Sequence, residues 1–192
     1  MVPIFKKKDK TVCDNFRGIS LLCHAEKVFA SVILQQIRKR TNEILTESQA
    51  GFRKGRSTTD QLFSLRLLAE KYTEFSKSLY ICYVDYQKAF DSVWREGHLG
   101  YEKKIIRLLQ ALYKKIFSAV RVDGGLTNWF QTVIDVLQGC VLSPLLICIF
   151  LEVVMARALE IDEIGAVVSE NKINNLKFAD DIGLTADSPA SR

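Results

Sequence analysis

The pattern of apolar residues along the chain predicts an α+β fold in which helices pack on an antiparallel sheet. Two helical patterns come first, and they are followed by a strand, a helix, a hairpin, a helix, a strand and a second hairpin. This order lacks the strict alternation of strands and helices that is typical of a parallel sheet. Hydrophobic residues make up 48% of the 192 positions, which is enough for one or two small domains with a core.

The first predicted helix covers residues 26–45. Phe29, Ile33 and Ile37 recur there at helical spacing, so we expect them to form one buried stripe. Residues 46–57 are mostly polar and contain glycines, which is typical of a loop. This loop separates the first helix from a second one.

The second helix is expected to begin at Thr58 or Thr59, either of which can cap its N-terminus. The β-rich residues 79–86 follow it, and they predict a buried strand that carries Asp85 near its end. Apolar side chains at helical spacing form the predicted buried face of the helix, namely Leu62, Leu65, Ala69 and Tyr72.

The second half of the chain is predicted to alternate between helices and short strands. Ser143 followed by Pro144 is a favourable helix start. Asp180 and Asp181 are expected at a tight turn between two strands. The predicted elements are a helix at 103–115, a hairpin with arms at 118–123 and 129–134, a helix at 143–159, a strand at 164–169, and strands at 176–178 and 182–185.

Positive charge is concentrated in the N-terminal third of the chain. Residues 1–60 hold 12 Lys and Arg against 6 Asp and Glu, whereas the remainder holds 15 against 16. This distribution suits contact with an anion such as a nucleic-acid backbone or a triphosphate. A solvated basic face is the alternative interpretation.

The cysteines and the apolar runs indicate a reduced, intracellular and soluble protein. The five cysteines are odd in number and show no C-x-x-C spacing, so we expect buried free thiols rather than disulfides or a zinc site. The N-terminus lacks the apolar core of a signal peptide, and the longest apolar run is too short for a bilayer. Nothing in the sequence distinguishes nucleus from cytoplasm or defines the oligomeric state.

Three carboxylates stand beside apolar strands, where ionised groups are unfavourable without compensation. They are Asp85, Asp180 and Asp181. Mg²⁺ would compensate them, because it prefers oxygen ligands from one or two carboxylates plus substrate phosphates. Two such ions about 3.5–4 Å apart can activate an attacking oxygen and stabilise a leaving one, as nucleotidyl transfer requires. Turn chemistry is the alternative for the acidic pair, and a strand-end cap is the alternative for Asp85.

Five motifs in a fixed order resemble the reverse transcriptase family, in the form used by non-LTR (LINE-like) retrotransposons. Together they cover most of the chain. They are NFRGISLL at 15–22, QAGFRKGRSTTDQ at 49–61, YICYVDYQKAFDSV at 80–93, QGCVLSPLL at 138–146 and FADD at 178–181.

The resemblance implies a right-hand polymerase in which residues 1–78 form the fingers and residues 79–192 form a partial palm. Asp85 and Asp180 would be the main ligands of two Mg²⁺ or Mn²⁺ ions, and Asp181 would assist. The implied substrates are deoxynucleoside triphosphates, with an RNA template and a DNA primer. Because the chain ends soon after the acidic pair, we expect a fragment of a longer reading frame that lacks the thumb.

The family's nucleotide pocket corresponds to residues from three of the motifs and from the N-terminus. Phe90 stands where the family places an aromatic sugar gate, and a core aromatic is the alternative. Gln138 and Gly139 would pack under the incoming nucleotide, or would form a plain loop before a helix. Arg17 and one of Lys6, Lys7 or Lys8, of which Lys8 is our choice, match residues that clamp the triphosphate. A basic, frayed N-terminus is the alternative for the lysines.

A second group of basic residues lies in the loop after the first helix. Arg53, Lys54 and Arg56 are expected to contact template phosphates, and a solvated loop is the alternative. The remaining polar candidates receive no catalytic role. Asp91 is assigned to local hydrogen bonding, and His24 and His98 are assigned to structure, because neither histidine has metal or triad spacing.

At two places the sequence departs from the family pattern, so shared ancestry does not by itself imply polymerase activity. Asp135-Val-Leu137 replaces the family's usual Gly-Val-Arg beside the nucleotide pocket. The segment between Asp91 and Lys103 is also shorter than usual. A displacement of about 1 Å at a reacting centre can reduce the rate roughly 100-fold. The alternative function is therefore a catalytically inactive retroelement remnant that retains nucleic-acid binding.

Overall fold

The computed structural model confirms the predicted α+β class, with helices and antiparallel sheets in one chain. Phe90, Asp91, His98 and Asp135 lie outside the described residues. The structure describes residues 1–86, 101–122, 124–132, 137–159, 165–168 and 171–189.

The helices and strands follow the predicted order, with additional strands at the N-terminus and after the last helix. The helices in the described part of the chain are α1 (His24–Ile44), α2 (Thr58–Glu74), α3 (Lys103–Tyr113) and α4 (Ser143–Leu159). The strands are β1 (Val2–Phe5), β2 (Phe16–Ile19), β3 (Tyr80–Asp85), β4 (Ile116–Ser118), β5 (Arg121–Val122), β6 (Gly125–Leu126), β7 (Phe130–Thr132), β8 (Ala166–Val168), β9 (Asn171–Ile173), β10 (Asn175–Phe178) and β11 (Asp181–Ala186).

The chain divides into two compact units, which do not coincide with the division predicted at residue 78. Unit 1 consists of Met1–Arg40 and Phe90–Ser143. Unit 2 consists of Thr41–Ala89 and Pro144–Arg192. The assignment of residues 1–78 to fingers and 79–192 to palm stays a prediction.

Unit 1 contains short antiparallel hairpins. β1 pairs with β2, β4 with β7, and β5 with β6. Gly124 takes a φ of 80° where the β5–β6 hairpin reverses, a conformation that glycine adopts without a steric penalty. The backbone N–H of Arg121 donates to the carbonyl of Met1 at 2.9 Å, so β5 is tied to the start of β1. The predicted reversal at Gly124 is confirmed, but its arms differ, because β5 pairs with β6 at Gly125–Leu126 and β7 pairs with β4.

Unit 2 contains a three-stranded antiparallel sheet with the order β10-β11-β3. Leu68 and Tyr72 of α2 pack with Ala166 of β8 in a buried cluster. The Tyr72 hydroxyl accepts a hydrogen bond from the Val167 N–H at 2.8 Å, which satisfies a polar group at the edge of that cluster. α4 is apolar on nearly all sides and buries most of its side chains, as expected for a core helix.

The buried face of α1 differs from the prediction at one position. Ile33 and Ile37 are buried as predicted, but Phe29 is 44% exposed and Ala30 is buried in its place. Ala30, Ile33 and Ile37 are three and four residues apart, so the buried stripe passes through Ala30 and not through Phe29. Both patterns have helical spacing, and spacing alone does not distinguish them.

The buried face of α2 is also rotated. Leu68 and Tyr72 are buried and Leu65 is half-buried, whereas Leu62 is 66% exposed and Ala69 is exposed. The prediction was wrong for Leu62 and Ala69, because the face is centred on the positions that pack against β8.

The N-terminus of α2 is capped one residue earlier than predicted. Ser57 is the N-cap, and its backbone N–H donates to the Asp60 carboxylate at 2.6 Å. A residue at the N-cap and an acid three positions later form the reciprocal arrangement of a capping box. Thr58 and Thr59 therefore lie inside the helix.

β3 forms as predicted, but it is not buried. It pairs with β11 and is the last strand of the sheet within the described residues, and Tyr83 is 72% exposed. The expected burial of the thiols is also only partly correct. All five cysteines are free, but Cys13, Cys23 and Cys82 are exposed. No helix in the described part of the chain is both long and apolar enough to cross a bilayer.

Candidate active site

The three aspartates meet at one end of the unit 2 sheet. Asp181 of β11 lies directly opposite Asp85 of β3, and Phe178 of β10 lies opposite Asp181. Directly opposed residues of antiparallel strands point to the same face, with Cβ atoms about 4.5–5.5 Å apart. Asp180 occupies the turn between β10 and β11. The predicted tight turn is confirmed, and the register brings Asp85 to the acidic pair.

The three carboxylates have an environment that suits a cation. Asp85 and Asp181 are exposed and Asp180 is half-buried. Within the described residues, none of the three carboxylates forms a hydrogen bond or an ion pair. The donors are all carboxylate oxygens, which fit a hard cation such as Mg²⁺ or Mn²⁺. Among the described residues, no three acidic, histidine or cysteine side chains stand together as a preformed metal site.

The side chain of Gln49 forms hydrogen bonds with the turn that carries Asp180. Gln49 Oε1 accepts hydrogen bonds from the backbone N–H of Ala179 at 2.9 Å and of Gly51 at 2.8 Å. Gln49 Nε2 donates to the carbonyl oxygen of Ala179 at 3.3 Å. The amide of Gln49, which is fully buried, therefore contacts both polar groups of the residue before Asp180.

The backbone on either side of Gln49 also pairs with β10, along the edge that does not face β11. Lys177 N–H donates to the Ser48 carbonyl at 2.8 Å, and Ala50 N–H donates to the Lys177 carbonyl at 2.9 Å. Gly51 lies so close to the turn that a Cβ atom there would stand 2.1 Å from the Ala179 nitrogen. Only glycine fits at that position without moving the turn.

A buried ion pair lies next to this turn. Lys177 Nζ donates to Glu152 Oε2 of α4 at 2.9 Å and to Thr46 Oγ1 at 3.3 Å. The Lys177 side chain is only 2% exposed. The pair connects α4 to β10 at Lys177, the residue that precedes Phe178. Each charge compensates the other in a site that water does not reach.

The buried thiol of Cys148 does not supply a soft ligand to this site. Burial, with smaller contributions from the nearby Asp180 and Glu152 carboxylates, raises its pKa to about 12. The thiol is therefore protonated at neutral pH. It donates instead to the carbonyl of Gly51 at 3.7 Å.

In unit 1, two of the five motifs contact each other. The Ser20 N–H, just after β2, donates to the Gln138 carbonyl at 2.7 Å. Gly139 takes a φ of 115°, and a Cβ atom there would stand 2.4 Å from the Ser20 oxygen. Gln138 and Gly139 are therefore held in a fixed loop before α4. The Ser143 hydroxyl closes this loop by donating to the Leu137 carbonyl at 2.7 Å.

The two predicted triphosphate ligands lie on the N-terminal hairpin of unit 1. Arg17 is exposed on β2 opposite Ile4, and Lys8 is exposed in the loop between β1 and β2. Lys8 takes a φ of 74°, which is uncommon for a residue other than glycine. The three aspartates belong to unit 2.

The three basic residues of the loop before α2 differ in availability. Arg53 Nη1 donates to the carbonyls of Thr46 at 2.7 Å and Gln49 at 3.1 Å, and this closes the loop around the Gln49 backbone. Arg56 pairs with Glu47. Lys54 is exposed. Template contact by Arg53, Lys54 and Arg56 stays a prediction, and Arg53 has a structural role in addition.

Sequence reasoning assigned no role to Gln49, Gly51, Glu152 or Lys177. Glu152 and Lys177 each interrupt an apolar segment, and two opposite charges in two buried elements are a signal of a buried pair. Gln49 and Gly51 stand in the second motif, but no local pattern indicates that they contact a turn 130 residues away.

Comparisons with known proteins agree with the motifs. The sequence profile of the family described as reverse transcriptase (RNA-dependent DNA polymerase) matches residues 5–191. The probable RNA-directed DNA polymerase from transposon X-element of Drosophila melanogaster is 34% identical over 149 residues, which are 71% of this chain and 16% of that protein. The RNA-directed DNA polymerase from mobile element jockey of Drosophila funebris is 31% identical over 149 residues, with the same two shares.

A more distant relative is aligned over more of the chain. The retrovirus-related Pol polyprotein from type-1 retrotransposable element R2 of Nasonia vitripennis is 27% identical over 179 residues, which are 90% of this chain and 17% of that protein. The chain spans about a sixth of the length of the curated relatives that it matches. The resemblance predicted from the five motifs is confirmed, and the chain belongs to the reverse transcriptase (RNA-dependent DNA polymerase) family.

Proposed function

We propose that this chain supplies the fingers and part of the palm of an RNA-directed DNA polymerase of a non-LTR retroelement. It extends the 3′-hydroxyl of a DNA primer on an RNA template with deoxynucleoside triphosphates. Family membership supports the reaction class. The single observation that carries the proposal is the register of β3 and β11, which sets Asp85 opposite Asp181 and beside the Asp180 turn.

In this proposal Asp85 and Asp180 hold two Mg²⁺ or Mn²⁺ ions, and Asp181 assists. The ions supply two effects when bound, a lower pKa of the primer hydroxyl and neutralisation of charge on the triphosphate. The protein contributes position. β3 and β11 fix two carboxylates side by side, and the turn presents the third.

The nucleotide is bound in this proposal by residues of the N-terminal hairpin and of the loop before α4. Arg17 and Lys8 hold the triphosphate. The planar guanidinium group of Arg17 suits phosphate oxygens, because it donates two parallel hydrogen bonds. Gln138 and Gly139 support the base and sugar, which suits a loop whose Gln138 carbonyl is held by the Ser20 N–H. Phe90 excludes a ribose 2′-hydroxyl.

The template backbone is bound by the loop before α2 in this proposal. Lys54 contacts phosphate directly, since its side chain is exposed. Arg56 joins it when its exposed pair with Glu47 opens, because surface ion pairs are worth only about 0–1 kcal/mol. Arg53 keeps the loop closed.

Primer extension tests the proposal. The chain is incubated with an RNA–DNA primer–template, deoxynucleoside triphosphates and Mg²⁺, beside an Asp180→Ala control. We expect incorporation by the unchanged chain and a loss of at least about 100-fold in the control, because a principal ligand is removed. A folded chain that incorporates nothing under Mg²⁺ or Mn²⁺ would overturn the proposal.

The second candidate is a catalytically inactive remnant that binds nucleic acid. The observation that favours it is the sequence Asp135-Val-Leu137, which has an acid and an apolar residue where the family resemblance implies glycine and arginine. It predicts salt-dependent binding of the primer–template without incorporation. Restoring the family residues with Asp135→Gly and Leu137→Arg then separates the two candidates, since a gain of incorporation would identify the lost residues as the cause.

A further inference from the structure

The contacts of Gln49 single out one residue of the acidic turn. Its Oε1 and Nε2 atoms bond the N–H and the carbonyl of Ala179, at 2.9 and 3.3 Å. Ala179 immediately precedes Asp180. An ordinary two-residue hairpin turn leaves such groups to solvent, whereas here a buried amide takes both.

The conformation of Ala179 shows why the turn needs support. Ala179 takes a φ of 58°, in the left-handed region that L-residues other than glycine rarely adopt. Such backbone strain persists where the surroundings determine it, and it clusters at functional sites. The Gln49 amide and the close approach of Gly51 are the contacts that determine it here.

We propose that Gln49 is a positioning residue for Asp180 and Asp181. Its amide holds Ala179 in the left-handed conformation, and so fixes how the two carboxylates meet a divalent cation beside Asp85. This inference rests on the proposed function, because it assumes that these carboxylates hold the cation. Gln49 touches neither the cation nor the nucleotide, and acts through the backbone of the turn.

A Mn²⁺ binding assay tests the inference without relying on polymerase activity. Binding to the full chain is measured as the loss of the free Mn²⁺ signal in electron paramagnetic resonance. Gln49→Met fills the same space and removes all three side-chain hydrogen bonds. We expect it to weaken Mn²⁺ binding about 10–100-fold, as loss of a group that orients metal ligands typically does. Excess Mn²⁺ should restore much of the primer extension that the variant loses.

Thr185→Val is the matched control. The Thr185 hydroxyl is buried at the other end of β11 and donates to the Ile173 carbonyl at 2.6 Å. Its removal also deletes a hydrogen bond of a buried side chain, between β11 and β9, but it leaves the turn intact. We expect a smaller fall in Tm than in Gln49→Met, because one hydrogen bond is lost and not three, and we expect unchanged Mn²⁺ binding. Equal Mn²⁺ affinities in Gln49→Met and the unchanged chain would overturn the inference.

Amide exchange of the unchanged chain keeps the inference testable if Gln49→Met fails to fold. The Ala179 N–H should be protected to the level of Lys177 in β10, because the buried Gln49 oxygen accepts it. An Ala179 amide that exchanges at the rate of an open turn would overturn the inference. Failure of the unchanged chain to bind Mn²⁺, with Ala179 protected, would instead overturn the proposed function, since the turn would be fixed but would hold no cation.

Discussion

At the scale of single residues, the pair of Glu152 and Lys177 shows how charge is accommodated beneath the aspartates. Both side chains are buried, and each is the principal compensation for the other. A buried pair gains little over a well-packed apolar pair, because desolvation offsets the attraction. Loss of one partner is different, because it leaves a charge in a site that water does not reach.

We therefore expect Lys177→Met to lower the free energy of unfolding by about 3–5 kcal/mol. The double variant Lys177→Met with Glu152→Leu should recover a large part of this loss, because no unpaired charge remains. Urea denaturation of the single and double variants measures the coupling. Losses that add without coupling would show that the pair contributes no mutual stabilisation. Arg66→Ala is the control, because it breaks the exposed i,i+4 ion pair with Glu70. It should change the free energy of unfolding by less than about 1 kcal/mol.

At the scale of elements, the loop of Gln138 and Gly139 is determined by one close approach. Gly139→Ala combines a φ of 115° with a Cβ atom 2.4 Å from the Ser20 oxygen, so β2 and the loop before α4 would have to separate. Gly124→Ala is the matched control, since its φ is 80° and its Cβ atom would meet no atom within 4 Å.

The control should lose about 1–2 kcal/mol, as a left-handed alanine does. Gly139→Ala should lose clearly more, because the steric contact adds to the backbone term. Thermal unfolding of both variants compares them. Equal losses would mean that the contact with Ser20 does not constrain the loop.

Elements that local signals define were predicted well. α3 ends two residues before the predicted boundary, and α4 begins at Ser143 as its Ser-Pro start indicates. The true cap of α2 was also present in the sequence, since Ser57 and Asp60 have capping-box spacing. The β1–β2 hairpin was missed because a polar loop of ten residues separates its short strands, and no tight-turn signal marks it.

At the scale of the whole molecule, the three aspartates could be predicted from the sequence, but the residues that position their turn could not. Asp85, Asp180 and Asp181 stand in motifs whose order alone relates them. The contact of Gln49 with Ala179 joins positions 130 residues apart, and no local periodicity encodes it. The exposure of β3 has the same origin, because burial depends on which segments cover a strand and not on its own β propensity.

The uneven charge of the molecule leads to the last prediction, which concerns nucleic-acid binding. Residues 1–60 hold the whole excess of positive charge. Each phosphate contact that is neutralised steepens the dependence of affinity on salt by roughly 0.7–0.9 in log K against log salt. If the loop before α2 contacts the template, Lys54→Ala with Arg56→Ala should reduce this slope by about 1–2.

The control is Lys103→Ala with Lys104→Ala, which removes the same charge from exposed positions at the start of α3. Its slope should stay close to that of the unchanged chain, because net charge alone is not the cause. Fluorescence anisotropy of a labelled RNA–DNA duplex across a salt series measures both. Equal slopes for the two double variants would assign the binding to general charge. A reduced slope in the first alone would place phosphate contacts on the loop before α2, independently of whether the aspartates still catalyse.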